Sequence, residues 1–132
     1  MPLGGLTMRL TDDFFIFEAF RETENGFEAD LRTNPEHFIY KAHFPGNPIT
    51  PGVCIIKTAG ELLEQKLDRK LFLKTVKNVK FLSVIIPEEK KKIKYSFSNI
   101  VEDENSCNVQ VVVSDDAIVY AKISLIFSYV RL

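Results

Sequence analysis

An α+β fold is predicted, with one long helix preceded by a hairpin and followed by four strands. Residues 53–67 contain no proline and place Ile55, Ile56, Ala59, Leu62, Leu63 and Leu67 on one helical face. Glu24-Asn25-Gly26 separates two apolar-rich segments, as a hairpin turn does. Lys92-Ile93-Lys94-Tyr95-Ser96-Phe97 alternates with the period of two of a half-buried strand.

In chain order, strands are expected at 14–22 and 27–31, on either side of that turn. An irregular segment and then the helix follow. Thr50 is the expected N-cap, its hydroxyl accepting from the N–H of Gly52 or Val53, and Pro51 suits the first helical position. Strands are then expected near 71–82, 91–100, 108–114 and 118–130, with Asp115-Asp116 marking the turn between the last two. The 132 residues are read as a single domain, 1–132, large enough for a core and small enough to gain from dimerisation.

Composition narrows the function. A net charge of −1 gives no global attraction to nucleic acid. The apolar runs are too short to span a membrane, and residues 1–5 lack the charged start and apolar core of a signal peptide. Cys54 and Cys107 form no disulfide framework, so the cytoplasm is the expected compartment. Cys54 is read as a small core or pocket-lining residue ahead of a nucleophile. Neither a metal nor a cofactor is implied, because no CxxC or HxxxH pairing is present. His37, after the Asn34-Pro35 turn, is expected at the surface or a rim. The charge run 88–94 reads as a solvated turn entering an edge strand; with Arg69, Lys70, Lys74, Lys77 and Lys80 it also offers a basic patch for an acidic partner.

The stretch with the most chemistry is HFPGNPITPGV, residues 43–53. Prolines fix its backbone and glycines relax it at chosen points, so a rigid, bent loop is expected. It holds a titratable imidazole, His43, beside a helix start whose free amides favour developing negative charge on a carbonyl oxygen. Gly52 has no side chain to obstruct a ligand's approach.

That stretch is similar to the HFPGxPxxPGV signature of the (3R)-hydroxyacyl-ACP dehydratases, enzymes of bacterial fatty acid synthesis. The likeness extends to Asn34-Pro35-Glu36-His37-Phe38, to the helix, and to Val79-Lys80-Phe81 with Ile86-Pro87. The resemblance implies a hotdog fold, a curved antiparallel sheet wrapped around one long central helix, with edge strands pairing into a homodimer or a trimer of dimers. It implies an acyl thioester on acyl carrier protein or CoA as substrate. His43 is then the base at the acyl α-carbon, and the Gly52 amide polarises the thioester carbonyl. Phe44, Pro51, Gly52 and Val53 are the substrate-binding residues.

One carry-over fails. Where the family reads Cys/Leu-Ile-Ile-Glu, this chain has Cys54-Ile55-Ile56-Lys57, so a lysine stands at the position of the carboxylate that protonates the leaving 3-hydroxyl. Three substitutes are open. Glu61, one turn on, is a candidate acid held by Lys57. Lys57 is a candidate donor itself if desolvated. In a heterodimer, His43 would meet a partner's carboxylate. Against all three, Lys57, Glu61, Glu64 and Asp68 also form the polar stripe of an ordinary amphipathic helix. A non-catalytic, carrier-binding or heterodimer-supporting subunit is therefore the alternative function, and a hotdog thioesterase a more distant third.

Overall fold

In a computed structural model of the protein, residues 9–131 are described. Residues 1–5, read above as no signal peptide, lie outside that range. The order of elements is α1 (Leu10–Asp13), β1 (Phe15–Thr23), β2 (Gly26–Thr33), α2 (Phe38–Ala42), α3 (Gly52–Leu67), β3 (Leu71–Phe81), β4 (Lys92–Glu102), β5 (Ser106–Ser114) and β6 (Val119–Tyr129). The strands form one antiparallel sheet in the order β1-β2-β4-β5-β6-β3. This is the α+β hotdog architecture, and each expected strand lies within two residues of its predicted bounds.

The hairpin is set by local chemistry. Thr23 pairs with Gly26 across a two-residue turn, and a Cβ at Gly26 would sit 2.0 Å from the carbonyl oxygen of Phe97. Glycine is therefore required for the close approach of β4, not only for the turn. Along β2, and along β4 as far as Phe97, one residue in two is buried, including Phe27, Leu31, Ile93, Tyr95 and Phe97. The rings of Phe27 and Phe97 stack with centroids 4.5 Å apart.

This inner face packs on α3, which contributes Ile55, Ala59, Leu62 and Leu63, all nearly or wholly excluded from solvent. The Tyr95 hydroxyl donates to the Ile55 carbonyl at 2.9 Å, tying sheet to helix. Registers shift in β1, β3, β4 and at the end of β5, and such bulges bend the strands around the helix.

β3 differs from the other strands. It is an edge of the sheet, and nearly all its residues are exposed, among them Phe72, Leu73 and Val76.

Candidate active site

Two short helices that carry no sequence periodicity build the site. α2 starts at His37, whose Nδ1 accepts from the Ile39 N–H at 3.1 Å. Its Nε2 therefore bears the proton and faces the Asp13 carboxylate at 3.3 Å. His37 is buried, against the expectation of a surface or rim position, because its ring caps a helix and packs edge-on against Phe14.

α2 ends at His43, whose N–H bonds the Ile39 carbonyl at 2.9 Å. The ring stacks on Phe44, with centroids 4.1 Å apart, and the peptide between them is cis. Among the described residues the buried His43 Nδ1 has no hydrogen-bond partner. The loop closes on itself: Ile49 N–H donates to the His43 carbonyl, and Asn47 N–H to that of Phe44.

Thr50 does not cap α3. Its hydroxyl and its N–H both donate to the Ile85 carbonyl, each at 2.9 Å. Because the hydroxyl has one proton and Ile85 takes it, the Tyr40 hydroxyl, 2.9 Å away, must be the donor to Thr50. Burial pushes the Tyr40 phenol well above its usual range, so it keeps that proton. Tyr40, three residues before His43, is thereby linked to Thr50, two residues before Gly52. Sequence reasoning missed this clamp, since nothing in the local pattern couples Tyr40 to Ile85.

The N-cap of α3 is Pro51, one residue later than expected, and it has no side-chain cap. Cys54 and Ile55 donate to its carbonyl. With Thr50 engaged elsewhere, neither the Gly52 nor the Val53 N–H has a partner among the described residues. Both amides lie at the positive end of a sixteen-residue helix. Phe44 and Val53 are exposed.

Lys57 and Glu61 meet along α3, with Nζ 3.5 Å from Oε2. Their environments differ: the Lys57 side chain is 57% exposed and that of Glu61 only 6%. Glu61 is no part of a solvated stripe. Oε1 accepts from the Thr11 N–H and hydroxyl, and Oε2 from the Leu10 N–H, at 3.0–3.1 Å. It caps α1. Glu64 accepts from the Leu71 N–H at 2.9 Å and so also serves the backbone.

Lys57 and Glu61 line an apolar groove of about 240 Å³ with Val53, Ile56, Gly60 and Phe127. His43 does not line it, so within one chain the imidazole stands apart from this groove.

Cys54 is buried, and desolvation raises its thiol above the usual range more than nearby Lys57 lowers it. At pH 7–8 the thiolate is accordingly rarer than in a free cysteine. Alkylation of the folded protein by iodoacetamide should be slower than that of a small thiol, with the rate rising only above the ordinary thiol range. Fast labelling of Cys54 at pH 7 would restore it as a nucleophile. Among the described residues no group of three or more His, Cys, Asp or Glu could hold a metal, and no helix is long and apolar enough to cross a membrane.

Residues 19–121 match the model of the ApeI-like family, described as ApeI dehydratase. The chain is 37% identical over 109 residues to a 3-hydroxyacyl-[acyl-carrier-protein] dehydratase FabZ of Brucella ovis, covering 73% of this chain and 68% of that one. It is 33% identical over 92 residues to the FabZ of Bartonella henselae, covering 61% and 58%. Across three of the curated relatives it matches, the chain spans 58%, 49% and 45% of their length. Among solved structures, the dehydratase heterocomplex ApeI:P from Xenorhabdus doucetiae superposes with a TM-score of 0.72 at 16% identity, covering 86% of this chain and 97% of that one, a likeness of fold. The chain belongs to the ApeI-like dehydratase family of hotdog proteins.

Proposed function

We propose that the protein catalyses the reversible dehydration of a (3R)-3-hydroxyacyl thioester, carried on acyl carrier protein, to the trans-2-enoyl thioester. His43 removes a C2 proton, the electrons pass toward the thioester oxygen held by the Gly52 N–H, and the C3 hydroxyl leaves as water once protonated. The observation that carries this reading is the pairing of His43 Nδ1 with helix-start amides, neither partnered among the described residues, on two arms of one clamped loop.

The acid comes from a second subunit. Glu61 is committed to α1, and the Lys57 side chain is more than half exposed beside that carboxylate. A carboxylate on the paired subunit's helix fills the role, and β3, an exposed edge strand bearing apolar residues, is the surface for that pairing. The ApeI:P neighbour is itself a heterocomplex. The basic residues Lys74, Lys77 and Lys80 on β3 fit an acidic carrier protein, and two free cysteines suit the cytoplasm.

The alternative, a non-catalytic subunit that binds acylated carrier or supports a partner, is favoured by one residue, Lys57 at the acid's position. The test is hydration of a trans-2-enoyl thioester, followed as loss of enone absorbance, for the chain alone and co-purified with hotdog subunits that retain the helix glutamate. Little turnover alone and full turnover in a complex is the expected result. Strong turnover alone that disappears in Lys57→Met would make the lysine the acid, and silence in every well-folded complex would favour the non-catalytic reading.

A further inference from the structure

Gly52 is in a regular helix at ordinary φ, so its glycine is not explained by backbone conformation. The explanation is steric. A Cβ at this position would meet the Phe81 ring at 2.7 Å from Cζ and 2.9 Å from Cε2, closer than such atoms approach. Phe81 thus lies directly on the first residue of α3, at the helix end whose amides have no partner among the described residues.

The backbone that carries the ring is held in place. Phe81 ends β3 in register with buried Ala121 of β6, and the next two N–H groups, of Leu82 and Ser83, both donate to the Tyr120 carbonyl at 2.8 and 3.2 Å. Yet half of its surface remains exposed, so one part of the ring rests on Gly52 and the rest is available to a ligand.

We propose that Phe81 is a specificity-determining residue: its ring walls the slot in which the acyl thioester carbonyl reaches the Gly52 N–H, and restricts the substrate to thioesters unbranched at C2. This rests on the assignment of Gly52 as the carbonyl-binding amide. C2 is bonded to the carbonyl carbon, so a methyl group there must lie close to whatever flanks the amide. An aromatic wall carried on a fixed strand end leaves a straight chain its path and crowds a branch.

The test compares hydration of trans-2-butenoyl and 2-methyl-trans-2-butenoyl thioesters of N-acetylcysteamine, in the active assembly, for wild type, Phe81→Ala and Phe81→Leu. The ratio of kcat/KM for branched over unbranched substrate should rise roughly tenfold or more in Phe81→Ala, with Phe81→Leu between. Gly52→Ala should damage wild type more than it damages the Phe81→Ala background, where the added methyl has room. A ratio within twofold of wild type in both Phe81 variants overturns the proposal. The amide analogues butyryl- and 2-methylbutyryl-amidoethyl acetamide, titrated by NMR, give the same ratio as affinities without turnover. Failure of the dehydratase reading, no hydration by wild type, is thereby separated from failure of the wall, an unchanged affinity ratio.

Discussion

Replacing His43 with alanine is expected to lower hydration of a trans-2-enoyl thioester by roughly 10²–10⁴-fold, the usual contribution of a positioned base. The fold should survive, because His43 helps close α2 through its backbone N–H, which alanine retains, and because its Nδ1 bonds no group among the described residues. The contrast with its neighbours is sharp. Tyr40 and Thr50 hold the loop, so their loss would disturb geometry; His43 loss removes the imidazole and its stack on exposed Phe44 but no hydrogen bond of the clamp. Unchanged Tm with turnover near background is the predicted pair of measurements. Retained turnover in a folded His43→Ala protein would remove the imidazole from the mechanism.

Glu61→Gln should act on stability instead. The carboxylate accepts three hydrogen bonds from α1 and lies against the Lys57 ammonium. An amide can present only one oxygen, and its NH₂ would face either the Leu10 N–H or the Thr11 pair, donor against donor. A cost of about 2–3 kcal/mol follows from leaving such buried groups unmatched, or roughly 6–10 °C in Tm for a chain of this size. If the variant instead melts like wild type and loses turnover by orders of magnitude, Glu61 is the missing acid and α1 is incidental.

The strands and the long helix were legible in the sequence because both depend on local periodicity. Ile93, Tyr95 and Phe97 point inward by alternation, and Ile55, Ala59, Leu62 and Leu63 by helical spacing. The HFPG loop was legible as a motif. What the sequence hid has one common cause: partners distant in the chain. Thr50 reads as a cap, yet its hydroxyl goes to Ile85, 35 residues away. Glu61 reads as a partner for Lys57 on a wet face, but its stronger bonds are to residues 50 and 51 positions earlier. His37 looks like a turn residue and is instead buried as a cap, a role for which Ser, Thr, Asp and Asn are the usual signals. Phe81 gave no sign of lying on Gly52, since contact between a strand end and a helix start depends on tertiary placement alone. α1 and α2, at four and five residues, are too short to show a helical period.

The Glu61 cap also sets an order of events during synthesis. The amides of Leu10 and Thr11 emerge from the ribosome some fifty residues ahead of the carboxylate that pairs them. The β1–β2 hairpin needs only neighbouring sequence and can close early, whereas the first described turn of the chain must wait for the third turn of the central helix. α1 is thus made before the helix that holds it and is fixed only after that helix has formed.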